Sequence, residues 1–435
     1  MRCRLAARVY QPTPLHLDRD RPQPARPRHD RCAEAETPVA RAHVLPLTLT
    51  QRDGGPVATL DEAFNPRRNS LNALRLVLAA LVIVSHAWII GGYGYPPALM
   101  GVDIGMFAVC GFFAISGYLI AASRLSASRL SSLSRHAGGS RPPRADLQTE
   151  PGLLAFLLRR FLRIYPAFLT VLLVTAVIFA PLSTLLASTD TPAPSYPSAA
   201  SYVVANLSLH ITQWGIDGTL LTARIPTWNI PLWSLVFEAL CYLALGLLAS
   251  VVPRRFFTPA AVTLFAGITL AAVLTRPFGS AGFTDNLLAL GSFFFAGVVL
   301  YLFRQRMPSS APLALIAAGM VLLLLALGFF KPLAAFPLAY LLLYLGAVLP
   351  LHRIGARNDI SYGLYVYGFP VQQLLLLATQ SLTENPMPVA VFATLSVVAT
   401  IPFALASWFL VERPALTLKR FAASRVAPAP APART

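Results

Sequence analysis

Six ionisable side chains stand inside or at the rim of apolar runs, where charge costs kilocalories to bury: Arg75, His86, Asp103, Arg160, Arg163 and Glu238. Two kinds of chemistry suit these residue types. A carboxylate hydrogen-bonded to an imidazole fixes its tautomer and raises its basicity, which equips the pair to take a proton near neutral pH. Clustered guanidinium groups bind phosphate or pyrophosphate oxygens in a bidentate fashion. Arg75 and His86 lie eleven positions apart in one run, Leu71 to Ile90. Taken singly, each has a plainer reading: Arg75 snorkels to the nearer interface, and His86 is a satisfied polar residue in helix packing.

The elements that must position these groups follow from composition. Of 435 residues 56% are hydrophobic and 12% charged, about half the charge of a soluble domain. That makes the chain an all-α, polytopic membrane protein. Ten spans can be drawn, at 71–90, 102–122, 162–182, 233–252, 258–275, 287–303, 312–329, 333–350, 361–380 and 388–411, with 312–350 also readable as one hairpin broken at Lys331-Pro332. Residues 1–68, rich in Pro and Arg, read as a disordered cytoplasmic tail, or in part as sequence upstream of the true start. Residues 69–415 form the membrane domain, and 416–435 a second disordered tail. The net charge of +17 invites a nucleic-acid reading, which the placement of the arginines excludes. The connections after the second, fourth, sixth and eighth spans hold fourteen of them, including Arg124, Arg254, Arg304, Arg353 and Arg357. Those after the odd spans hold three basic residues, Arg224, Arg276 and Lys331. By the positive-inside rule both termini are cytoplasmic. Cys3, Cys32, Cys110 and Cys241 are isolated, so neither a disulfide nor a metal site is expected.

Orientation gives each polar residue a depth. Arg75, Arg160 and Arg163 gather at the inner face, while His86 lies about 22 Å along its helix from Leu71, near the outer face. A neutral loop, Gly91 to Gly101, returns Asp103 to about the same depth, and Glu238 sits about two turns in from the outer end of the fourth span. Asp103 is equally readable as a helix cap. Ser116-Gly117 reads as a close-packing contact rather than a nucleophile. Tyr362, Tyr365 and Tyr367 read as packing more than as cavity lining, whereas Gln372 and Gln373 suit either an acceptor sugar or helix ties. The Ser/Thr/Pro-rich stretch 183–231 is the candidate for part of an acceptor site.

Five stretches occur in order: Arg75-x10-His86; Gly101-Val102-Asp103 with Gly111-Phe112-Phe113-Ala114-Ile115-Ser116-Gly117-Tyr118; Arg159-Arg160-Phe161-Leu162-Arg163-Ile164-Tyr165-Pro166; Trp233-Ser234-Leu235-Val236-Phe237-Glu238; and Ser361-Tyr362-Gly363-Leu364-Tyr365. Glu412-Arg413-Pro414 closes the series. Together they resemble the acyltransferase family 3 membrane O-acyltransferases over about residues 69 to 415. The sequence departs at Gly368, where relatives usually carry a histidine, and after the tenth span it shows none of the extracytoplasmic hydrolase-like domain that some relatives append.

The resemblance implies transfer of an acyl group, most often acetyl, from cytoplasmic acyl-CoA to a carbohydrate hydroxyl in an exopolysaccharide, lipopolysaccharide or lipid-linked glycan, at the cytoplasmic (inner) membrane of a bacterium. Acyl-CoA is then a co-substrate and no cofactor is permanently bound. Partners are the glycan acceptor and membrane lipids, with no nucleic acid. His86 serves as general base or transient acyl carrier, oriented by Glu238 or Asp103, while Arg75, Arg160 and Arg163 hold the phosphates. A secondary transporter or flippase using the same intramembrane charges is the rival from another class.

Overall fold

The computed structural model describes residues 58–66, 68–136, 152–187, 193–276, 282–380 and 387–418. The expected tails therefore lie outside the described residues, except at their inner edges. Ahead of residue 69 the chain already folds: α1 (Leu60–Ala63) opens on a capping box in which Thr59 and Glu62 bond each other's backbone N–H, and Leu60 is fully buried. Asp61 pairs with Arg304 at 2.6 Å. The folded part thus begins about ten residues earlier than hydropathy suggests, because one turn carries too few apolar residues to register.

Every apolar run forms a helix. They are α2 (Leu71–Gly91), α3 (Ile104–His136), α4 (Leu153–Leu186), α6 (Ile230–Val251), α7 (Arg254–Thr275), α8 (Phe283–Phe303), α9 (Ala311–Ala326), α11 (Ala335–Val348), α12 (Ser361–Gln380) and α13 (Val389–Thr417); α5 (Tyr196–Asn206) and the short α10 (Phe330–Leu333) lie between. Seven of them, α2, α3, α4, α6, α7, α8 and α13, are long and apolar enough to cross a membrane; α9 and α11 are shorter. The stretch 312–350 is the broken hairpin, its break carried by Gly328 at φ 71 and by α10 with Lys331 and Pro332. Helix α4 starts nine residues before the apolar run it contains. Arg159, Arg160 and Arg163 lower the hydropathy there without interrupting the helix.

Between α2 and α3 the chain turns through a two-stranded hairpin, β1 (Ala98–Leu99) with β2 (Val102–Asp103). Its two central residues, Met100 and Gly101, both take positive φ, 49 and 85, as a primed turn requires. Asp103 is thereby delivered to the start of α3. Helices α3 and α8 approach closely through facing glycines. A Cβ on Gly117 would come within 1.9 Å of the Phe294 carbonyl oxygen, and one on Gly297 within 2.1 Å of that of Ala114. Helix α12 packs on α2 and α13 and is buried nearly throughout, although Tyr and Gln make it less apolar than its neighbours. Hydrogen bonds replace the missing apolarity: Gln372 donates to the Ile83 carbonyl, Gln373 to those of Ile225 and Thr227, and Tyr362 to that of Ile164. A Cβ at Gly368 would lie 2.6 Å from the Ile83 side chain, so the close α2–α12 contact is built on this glycine.

Candidate functional site

Arg75, Arg160, Arg163 and Glu238 line one cavity of about 320 Å³, enclosed by α2, α3, α4, α6, the start of α12 and the end of α13. That lies at the low end of the range for small-molecule sites. The arginines come from the second turn of α2 and from the second and third turns of α4, so one end of the bundle presents both. Glu238 comes from the opposite direction, about 12 Å along α6 from Ile230.

The arginines differ in their partners. The Arg75 Nη1 and Arg163 Nη2 groups converge on one oxygen of Asp359, at 2.5 and 2.6 Å, and Arg163 also faces Glu412 at 3.8 Å. Ser361 donates to the second Asp359 oxygen at 2.6 Å. Burial pushes the Asp359 carboxyl up, but Arg75 and Arg163 outweigh it and hold the group well below the usual carboxylate range. Arg160 instead donates to the Ser123 hydroxyl at 2.7 Å and lies over the Phe156 ring.

Deeper in the cavity, Ser116 donates to Glu238 Oε1 at 3.2 Å, and Tyr242, one helical turn on, donates to the same oxygen. Tyr362 and Tyr365 line the wall; Tyr365 donates to the Pro231 carbonyl, and Ser234 lies 2.6 Å from its hydroxyl.

His86 is not among the residues lining this cavity. Its Nδ1 lies 2.7 Å from the Val82 carbonyl, and its ring meets Phe369 edge-on at 5.3 Å. A carbonyl only accepts, so Nδ1 carries the hydrogen in the neutral ring and Nε2 carries the lone pair. The tautomer is therefore set by backbone one turn back. This corrects the expectation that Glu238 or Asp103 orients the ring through a hydrogen bond: Glu238 is held by Ser116 and Tyr242. Asp103 accepts from Ser85 at 2.6 Å and from the Gly105 N–H at 2.9 Å, capping α3. Asp103 also borders a second cavity of about 510 Å³, which Arg276, Asp285 and Lys331 share, with Lys331 and Asp285 paired at 3.0 Å. Asp103 and the three arginines thus line different spaces.

The stretch 183–231 contributes no lining residue to the arginine cavity. It folds onto the bundle, with Trp228 fully buried and bonded to Thr219 at 3.0 Å. Three site residues escaped sequence reasoning. Asp359 is an acid in a connection otherwise marked by Arg353 and Arg357, directly before Ser361-Tyr362, and that position was its one signal. Tyr242 was legible as the i+4 neighbour of Glu238. Nothing marked Ser116 as a cavity group rather than a packing one.

A model of the acyltransferase domain family matches residues 68–409. The chain belongs to acyltransferase family 3 and is a membrane-embedded acyltransferase. No curated protein and no solved structure matches it.

Proposed function

We propose that this acyltransferase moves an acyl group, typically acetyl, from cytoplasmic acyl-CoA to a carbohydrate hydroxyl on the extracytoplasmic side of a bacterial inner membrane. The observation that carries the reading is the single cavity in which three arginines from one end of the bundle share a space with Glu238. Coenzyme A bears phosphates and cannot cross a bilayer, so its anionic part stays at the arginine-rich end while the thioester points inward. The arginine-rich connections at that end support a cytoplasmic position for it by the positive-inside rule.

His86 is the group that takes the acceptor hydroxyl's proton. Its Nδ1 is committed to Val82, which leaves the Nε2 lone pair to accept the proton. The hydroxyl oxygen then attacks the thioester carbonyl, the carbon–sulfur bond breaks, and the proton passes to the departing thiolate. A transient acyl group on Nε2 would use the same nitrogen. Glu238, fixed by Ser116 and Tyr242, supplies the cavity's inner polar surface rather than orienting the imidazole.

Membranes containing the protein, incubated with radiolabelled acetyl-CoA, test this reading. Label is expected in the host's extracellular glycan, and His86→Ala is expected to abolish it while the protein remains inserted. Full transfer by His86→Ala would remove the base assignment, and no label from the unmodified protein would remove the glycan reading.

A further inference from the structure

On α12 the arginine cavity ends one helical turn short of the contact with His86. Its last lining residue there is Tyr365, and Phe369, four residues on, is the ring that meets the imidazole at 5.3 Å. The facing ring on α3 is Phe112, which meets Tyr365 edge-on with centroids 5.9 Å apart. Val109, one turn beyond Phe112, is 5% exposed, so the half-buried Phe112 ring is the surface that the cavity meets there. The two rings are held differently. Tyr365 is pinned at its hydroxyl by the Pro231 carbonyl at 2.7 Å and by Ser234 at 2.6 Å, whereas the apolar Phe112 ring is held by packing alone.

The depth of the cavity matches the donor's arm. The Arg160 guanidinium bonds Ser123 at 2.7 Å, and Ser123 lies eleven residues along α3 from Phe112, about 16 Å. Twelve bonds separate the diphosphate of coenzyme A from its sulfur, and an extended chain gains about 3.4 Å for every three bonds, so the arm reaches about 14 Å. Arg160 stands one turn nearer the start of α4 than Arg163. Even an arm anchored there carries the sulfur to within about 2 Å of the level of Phe112, and anchoring at Arg75 or Arg163 leaves less. On the same reach an acetyl group adds about 2 Å beyond the sulfur and a butyryl group about 4–5 Å. Acetyl fits in front of the rings, and butyryl runs into them. We propose that the Phe112 ring, backed by Tyr365, restricts the donor to a two-carbon acyl group, which makes Phe112 a specificity-determining residue of the transfer. The assignment rests on acyl-CoA being the donor.

The test is acyl transfer to glycan by the full-length protein in membranes, from acetyl-, propionyl- and butyryl-CoA labelled in the acyl group. The readout is kcat/KM for butyryl divided by that for acetyl, a ratio that the yield of a variant does not move. Forcing two extra methylenes into a filled site costs about tenfold or more, so the unmodified protein is expected to favour acetyl by at least that factor. Phe112→Ala extends the cavity to Val109, about 4.5 Å further, and is expected to raise the ratio about tenfold or more. Phe112→Leu, the milder change should the alanine variant fail to insert, is expected to admit propionyl. Leu119→Ala widens the same cavity two turns nearer the arginines and is expected to leave the ratio as it is.

For a variant that is inserted but transfers nothing, the affinities for the three acyl-CoAs, measured by calorimetry in nanodiscs, supply the same ratio. Butyryl used as well as acetyl by the unmodified protein, a ratio unchanged in both Phe112 variants, or an equal rise in Leu119→Ala would overturn the proposal. Failure of the unmodified protein to bind or use any acyl-CoA would instead remove the donor reading, and the length limit with it.

Discussion

Replacing Asp359 by asparagine removes one negative charge from between two guanidiniums and leaves the side-chain shape almost unchanged. In the structure a single Asp359 oxygen takes Arg75 at 2.5 Å and Arg163 at 2.6 Å, with all three side chains 16–20% exposed. Removing one partner of a pair this sheltered leaves cations facing each other and costs about 3 kcal/mol, the low end for buried pairs. The same vacancy suits a phosphate, because Arg75 and Arg163 no longer have to release a carboxylate to accept one. A ligand present at about 100 times its dissociation constant stabilises the folded state by about 2.7 kcal/mol, enough to restore most of the loss. Asp359→Asn is therefore expected to lower thermal stability in detergent and to be rescued by CoA more strongly than the unmodified protein is. Fluorescence-detected melting with and without CoA measures both effects. Equal protection of the two proteins by CoA, or an unchanged melting point in the variant, would refute the reasoning.

The remaining predictions concern pH, the donor site and the packing. Because the folded-state Asp359 carboxyl is held below its unfolded value, its contribution is complete above the ordinary carboxylate range and is lost only as pH falls beneath it. The stability gap between the protein and Asp359→Asn should thus stay flat from about pH 5 to 8 and close under stronger acid; a gap that narrows toward pH 8 would contradict this. Arg160→Ala should raise the apparent KM for acetyl-CoA about tenfold or more with a smaller change in kcat, as loss of a charged contact to the donor requires; an unchanged KM would confine Arg160 to setting topology. Gly117→Ala must move α3 off the Phe294 carbonyl and should lower melting temperature and monodisperse yield, by more than the exposed Gly267→Ala, whose added Cβ meets nothing; equal effects would deny the close α3–α8 contact its importance.

The helices were legible in the sequence because each apolar run is long, and hydropathy needs nothing but length. Their ends were less so, since Arg159, Arg160 and Arg163 lower the hydropathy of a helix that begins at Leu153. The buried helix Ser361–Gln380 shows the opposite limit: tyrosines and glutamines make it less apolar, and their hydrogen bonds to neighbouring carbonyls, visible only once the chain is folded, let it be buried. The gathering of Arg75, Arg160 and Arg163 followed from orientation by loop charge, whereas Glu238, expected in the outer half beside His86 and Asp103, shares their cavity instead. Asp359 did not follow, because its pairing with Arg75 spans 284 positions and a lone acid in a basic loop reads as solvated. The bond that fixes the imidazole escaped for a related reason. It goes to the Val82 backbone, and a search among side chains for a histidine's partner passes over the carbonyl one turn away.

Acyl transfer from the arginine end to the His86 side is tested most directly in inverted membrane vesicles from the host, which expose the cytoplasmic face outward. Radiolabelled acetyl-CoA supplied outside is expected to label glycan inside, with the label lost in His86→Ala and reduced in Arg160→Ala at low donor concentration. Label appearing only on glycan at the same face as the donor, or persisting in His86→Ala, would contradict a transfer that runs through the membrane to His86.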